Sequence, residues 1–321
     1  MRILATVVLL TVGFVCDLQA EELSIYEVQY TTDPNGLSPQ HGNVVDCLGG
    51  IVIHKFIGSR SRLIVYDPNC AEGWGGIMAK DLDGTGEFND VNVGDWVSFV
   101  NVEVEDYRGT TFLQYTAVHD PNYTIISINN PVPEPIPVRA EDIASPMEGI
   151  DQWVVADHNC EKYESMLIKV IDVNVKALDK GKAYDNYILE DNTDPNLTCW
   201  ASDYMNEDLV AIYHLYVEVG QNFCGVAGIL EQYNAVSDSN YYDYYQLLTL
   251  STESFTIEQV ADLDYDCDVD FIDFSDFAFM WFNNECTEPD WCSGADLTQN
   301  GSVDILDLEK LSDNWLEGKL Y

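Results

Sequence analysis

One twelve-residue frame is written twice near the C-terminus, and it constrains the fold more than any other feature of the chain. The first copy, Asp262-Leu263-Asp264-Tyr265-Asp266-Cys267-Asp268-Val269-Asp270-Phe271-Ile272-Asp273, sets carboxylates at loop positions 1, 3, 5, 9 and 12, with the Asp268 carbonyl at 7. The second, Asp296-Leu297-Thr298-Gln299-Asn300-Gly301-Ser302-Val303-Asp304-Ile305-Leu306-Asp307, starts 34 residues later. It repeats the oxygen side chains, offers the Ser302 carbonyl at 7, and has glycine at the sharp turn. A hard divalent cation takes its oxygen ligands from a loop of this kind. At an effective dielectric of about 20, two unit charges 4 Å apart repel by roughly 4 kcal/mol, so five converging aspartates need a cation. A solvated acidic tail, the common reading of a charge run, has no use for the apolar residues that recur at the same interval. These pair Phe271 with Ile305, Phe274 with Leu308, Trp281 with Trp315 and Phe282 with Leu316. The spacing predicts two short amphipathic helices burying these stripes on each other.

Residues 261–316 resemble a type I dockerin, the module of two calcium loop-helix repeats that docks onto cohesin domains. The resemblance implies two Ca2+ sites. Asp262, Asp264, Asp266, Asp270 and Asp273, with the Asp268 carbonyl, would hold the first ion. Asp296, Thr298, Asn300, Asp304 and Asp307, with the Ser302 carbonyl, would hold the second. It also implies that Phe271, Ile272, Ile305 and Leu306, which follow the ninth loop positions, read a cohesin-like protein or a surface assembly. They are apolar where polar pairs are common.

The other end of the chain points outside the cell. Residues 1–20 combine Arg2, an apolar run from Ile3 to Val15 and a small residue at Ala20, which reads as a secretory signal. No later stretch is apolar enough to cross a bilayer. The expectation is a secreted, extracellular protein. Its net charge of −42, from 14 basic against 56 acidic residues, makes nucleic acid an unfavourable partner, since phosphate binding draws on clustered Lys and Arg. Nine cysteines, one of them Cys16 in the signal, leave an even number, and an exported chain then favours disulfides. Cys47 with Cys70 and Cys199 with Cys224 are the first guesses, and Cys267, Cys286 and Cys292 are further candidates.

Between these ends the pattern is β. Candidate strands at 44–55, 62–66, 75–79, 96–104 and 111–117 are followed by a proline-rich segment, 127–140, with Pro131, Pro133, Pro135 and Pro137 on alternate residues. Such a segment cannot form a central strand and favours extended geometry. Strands then return at 166–177, 187–190, 198–201, 224–233 and 244–250. The halves echo each other, Val91-Asn92-Val93-Gly94 matching Val217-Glu218-Val219-Gly220 at an offset of 126, so two related domains are expected. Gly49-Gly50-Ile51-Val52, Trp74-Gly75-Gly76-Ile77, Val93-Gly94-Asp95-Trp96-Val97 and Tyr163-Glu164-Ser165-Met166 look like the tandem OB-type domains at the front of some exported bacterial nucleases and surface proteins. The nuclease domain that follows in such proteins is missing from this sequence. The expected fold is mainly β with a small α module: signal 1–20, OB-like barrels 21–126 and 141–256 joined by 127–140, and a dockerin-like module 257–318.

OB barrels bind linear polymers with stacked aromatics. Trp74, Trp200 and the tract Tyr241, Tyr242, Tyr244, Tyr245 are the candidate ligand surface, against the plainer reading of tyrosines packed in a hairpin. The five histidines share no ligand spacing and no G-x-S-x-G occurs, so no catalytic residue is nominated. The expected function is a calcium-binding secreted protein that docks two OB-like domains onto a partner. The alternatives are a component of extracellular polysaccharide breakdown, either hydrolase or binding subunit, and a nucleic-acid-binding module.

Overall fold

The computed structural model describes residues 22–56, 61–70, 72–84, 88–143, 158–180, 185–205, 217–237, 240–256, 260–264 and 269–315. The signal-like segment, Asp266, Cys267, Asp268, Leu316 and the side chain of Tyr241 lie outside the described set. No described helix is long and apolar enough to cross a membrane.

The first half closes a sheet on itself. After β1 (Glu22–Leu23) and α1 (Ile25–Gln29) come β2 (Val44–Phe56), β3 (Arg62–Tyr66), β4 (Gly76–Asp81), β5 (Trp96–Tyr107), β6 (Thr110–Tyr115) and β7 (Asn122–Ser127). The hydrogen-bonded order β2-β3-β4-β6-β5 returns to β2 through a β2–β5 pairing, and β4 runs parallel to β6. This five-stranded, partly open Greek-key barrel is the OB arrangement. Branched and aromatic residues drive it, with Val52, Leu63, Val65, Ile77, Val97, Phe99 and Leu113 filling the interior. Strand β2 bends round the barrel at Gly49, which has φ +64, and a Cβ there would sit 1.7 Å from the Val97 carbonyl oxygen. Gly49→Ala is therefore expected to destabilise this barrel by about 2 kcal/mol or more in urea unfolding, because both backbone conformation and space forbid a side chain.

The second half repeats the plan with β9 (Leu167–Lys180), β10 (Asp185–Asp191), β11 (Thr198–Ser202), β12 (Asn222–Ser237) and β13 (Asn240–Leu248). They are ordered β12-β13-β11-β10-β9 with a closing β12–β9 pairing. The duplication extends to single hydrogen bonds. Gly94 N donates to Val52 O at 2.9 Å and Gly220 N to Val175 O at 2.8 Å, while Val52 N and Val175 N donate back to Asp95 O and Gln221 O. Both glycines have positive φ, which is why the repeated V-x-V-G turn needs them. Within the proline-rich segment, β8 (Ile136–Val138) joins the second sheet at its edge, beside β9, where a missing N–H costs no central ladder bond. The short β14 (Phe255–Thr256) closes the opposite edge.

The first barrel keeps its own interior, and the second barrel's core runs on across the seam to the first barrel's outer side. Strands β3 and β4 are buried along nearly their whole length, because alternate residues serve opposite sides. Leu63, Val65, Ile77 and Ala79 point into the first barrel, whereas Ile64, Tyr66, Met78 and Phe112 join a continuous cluster with Met166, Ile168, Ile229 and Leu247 of the second.

In the C-terminal module, α2 (Phe271–Phe279) and α3 (Ile305–Asp313) each follow an acidic loop. Their packing corrects the sequence-based pairing. Phe271 and Ile305 are 75% and 64% exposed, and Phe274 and Phe282 are exposed as well. The buried residues are Phe277 with Leu311, Val269 with Val303, and Ala261 with Ala295, again at the 34-residue interval, together with the Cys286–Cys292 disulfide. The buried stripe differs from the expected one: the eighth loop residue, Val269 or Val303, supplies the core contact, so the residues just after the ninth position turn outward. Trp281, Leu308 and Trp315 flank this core.

Disulfide pairing also departs from expectation. Cys47, Cys70 and Cys199 are free thiols. Cys47 and Cys199 face barrel interiors, where burial pushes both up to about 12. Cys224 is disulfide-bonded to a residue outside the described set.

Candidate functional site

The two acidic loops are built on the same backbone device. In the second, Asp307 Oδ1 accepts from Thr298 N and Thr298 Oγ1, each at 2.8 Å, and Asp307 Oδ2 accepts from Asp304 N at 2.8 Å. In the first, Asp273 Oδ1 accepts from Leu263 N at 2.6 Å and more weakly from Asp264 N at 3.4 Å. Its Oδ2 accepts from Asp270 N at 2.6 Å. The ninth-position residues, Asp270 and Asp304, are helix N-caps whose side chains accept from Ile272 N and Leu306 N. A capping box thus ties each loop to its helix.

This fixes carboxylates close together in buried positions, and among the described residues no lysine or arginine forms a salt bridge with Asp273, Asp296 or Asp307. Asp262, Asp273, Asp296 and Asp307 are at most 6% exposed. Ligand oxygens of Asp262, Asp264 and Asp273 lie within 4.8 Å of one another. Buried like charges at such range repel strongly, and an all-oxygen donor set of this kind suits Ca2+ rather than a softer metal. The second loop is more self-satisfied. Asp296 accepts from Asn300 N and Gly301 N, Asn300 Nδ2 donates to Thr298 Oγ1, and Asn300 Oδ1 accepts from Ser302 N and Ser302 Oγ. Gly301, with φ +99, provides the left-handed turn at position six. Asp262 reaches the second barrel, its Oδ2 lying 3.7 Å from the Cys224 sulfur.

The aromatic candidates do not converge. Trp74, half-buried at φ +64, meets Tyr30 edge-on at 5.5 Å on the first barrel, and Trp200 meets Tyr244 at 5.9 Å on the second. Tyr244 and Tyr245 are 9% and 3% exposed, and Tyr242 packs against the core. These tyrosines are hairpin core rather than an open stacking surface.

Tyr245 leads to a feature that sequence reading missed. At the seam between the barrels its hydroxyl donates to Glu161 Oε2, and it also pairs with His158 Nδ1 at 2.8 Å. Glu164 is buried beside it. Its Oε1 accepts from Thr111 N at 3.0 Å and Gln29 Nε2 at 3.4 Å, both from the first barrel, and its Oε2 has no hydrogen-bond partner among the described residues. Burial pushes both glutamates upward, and mutual repulsion adds to it for Glu164. No local signal marks them: in Cys160-Glu161-Lys162-Tyr163-Glu164 they read as ordinary surface acids.

No family model matches the chain, and no curated protein does. Solved structures do, distantly. Fission yeast Pot1 with ssDNA is 13% identical, covering 66% of this chain and 81% of its own at a TM-score of 0.26. A murine DNA-binding protein bound to dsDNA is 10% identical, covering 64% and 95% at 0.30. A replication protein A heterotrimer bound to ssDNA is 11% identical, covering 72% and 68% at 0.23. The OB assignment rests on strand order, not on these scores.

Proposed function

We propose that this chain is a calcium-dependent tether of dockerin type that carries two fused OB barrels outside the cell. Its C-terminal module folds around divalent cations held by the two loops. The observation that supports this most is the recurrence, 34 residues apart, of one amide-to-carboxylate latch in two loops that bury their first and last aspartates. Calcium would supply the positive charge that lets those carboxylates stay ionised and buried, and apo repulsion couples metal binding to folding. The chain's part is to pin the twelfth-position carboxylate with backbone amides and to present Phe271, Ile272, Ile305 and Leu306, all at least half exposed, as an apolar docking face. Exposed apolar residues at symmetry-related positions favour a protein partner over solvent. The test is capture of purified cohesin domains by the mature chain with calcium and with EDTA. Capture that needs calcium supports the tether, and equal capture in both, or none from a broad panel, contradicts it.

A second reading, a nucleic-acid-binding module, is favoured by the OB strand order in both halves, since OB barrels serve single strands widely. Electrostatics weigh against it, because −42 repels a polyanion. The expected result is no retention of single-stranded DNA at 50 mM salt. Binding that falls steeply with salt would restore this reading.

A further inference from the structure

The strand face formed by β3 and β4 is spent on joining the barrels, and the joint has acids at its centre. We propose that this seam is a proton-operated latch: the barrels stay fused while Glu161 and Glu164 are kept protonated, and they part when both carboxyls ionise. The inference rests on the barrels alone and stands or falls apart from the calcium reading.

The geometry sets the latch across the joint. Both glutamates belong to the turn that enters the second barrel, and both face the first. Glu164 binds Thr111 N and Gln29 Nε2 there. The Glu161 carboxyl presses on Gly36 so closely that a Cβ at that glycine would be 2.8 Å from it. Backbone bonds run alongside, from Trp74 N to Lys162 O and from Asn234 N to Arg108 O, and Thr110 Oγ1 donates to Gln232 O.

The groups facing the pair are mostly acidic or neutral. From the first barrel come Asp106, with His41 and Asp33 beside it; from the second come His158, Asp243, Tyr245 and Cys160. Among the described residues no lysine or arginine forms an ion pair with either glutamate, and the Lys162 ammonium lies over the Tyr163 ring. Four buried oxygens in or beside the seam, Glu164 Oε2, Ser165 Oγ, Thr111 Oγ1 and Gln232 Oε1, have no hydrogen-bond partner among the described residues. A proton on Glu164 turns one of these acceptors into a donor, which ionisation would remove.

The sign follows from burial. Desolvation raises both glutamates above the ordinary 4.5; like charge adds to it for Glu164, while at Glu161 the Tyr245 hydroxyl and His158 offset only part of the rise, so the folded seam binds more protons than separated barrels do. Cohesion is complete below about pH 4.5 and is lost as pH rises through the raised values. The fraction of open molecules should grow about tenfold per pH unit for each proton released. Asp106, pushed up to about 6 by burial, contributes the early part of that rise.

The experiment is small-angle scattering of the mature chain in saturating calcium from pH 5.5 to 9.5, on wild type and on Glu161→Gln/Glu164→Gln. Glutamine keeps the acceptor and supplies the donor without a charge. The expected result is a radius of gyration that grows with pH in wild type and stays flat in the double variant. Constant dimensions in wild type, or the same growth in the variant, would overturn the latch. The wild-type curve decides alone if the variant does not fold.

Discussion

Asp273→Asn and Asp307→Asn together are expected to abolish the folded C-terminal module at any calcium concentration, leaving the barrels intact. Each carboxylate accepts backbone amides through both oxygens, and neither is exposed. Asparagine at either place removes one acceptor and the charge that would hold the ion. A site filled a hundredfold above its Kd adds about 2.7 kcal/mol to folding, so two sites add roughly 5 kcal/mol. That is comparable to the whole stability of a small domain. Chelation of the wild type should act in the same direction. The fluorescence of Trp281, Trp291 and Trp315, which flank the module core, and helical dichroism report the loss. A single substitution in the first loop should cost more than the same change in the second, where Thr298 and Asn300 satisfy the loop internally.

The second large effect separates fold from docking. Phe277→Ala removes a ring that is 1% exposed at the centre of the module, and large-to-small changes of this kind cost about 3–5 kcal/mol. Phe271→Ala, at 75% exposure, forfeits mainly the edge contact with Trp315 at 5.1 Å and should cost no more than about 1 kcal/mol. Under the proposed tether its consequence would lie in recognition. Serine at Phe271, Ile272, Ile305 and Leu306 should leave thermal unfolding in calcium nearly unchanged and weaken capture of a cohesin-like partner at least a hundredfold, since apolar anchors carry most of such interfaces. Equal loss of stability from Phe277→Ala and Phe271→Ala would mean that the helices pack differently.

The legibility of this chain followed the range of the interactions concerned. Strands such as 62–66 were readable because branched and aromatic runs end at turn residues, and the duplication was readable because Gly94 and Gly220 meet the same local demand for positive φ. The acidic loops were readable because their spacing is fixed within twelve residues. The helix stripe was not, since Val269 and Val303 sit outside the helices, and which face turns inward depends on a partner loop. Cysteine pairing failed for a similar reason: Cys47 and Cys199 alternate into barrel interiors, away from the nearest cysteine along the chain. The seam was least legible of all. Glu161 and Glu164 acquire their character only when a face carrying Thr111 and Gln29, which lie 53 and 135 residues from Glu164 in sequence, closes over them. The tyrosine tract allowed two readings, ligand surface or packed hairpin, and at Tyr245 the choice is made by His158 and Glu161, more than 80 residues away in sequence.

The central claim is that the paired loops hold calcium and fold around it. Calorimetric titration of Ca2+ into the chelator-treated chain, followed by helical dichroism on the same sample, tests it most directly. Heat saturating at two ions per chain, with helix content rising in step and reversed by EDTA, is the predicted result. No heat above dilution, or a module equally folded with and without the ion, would contradict it.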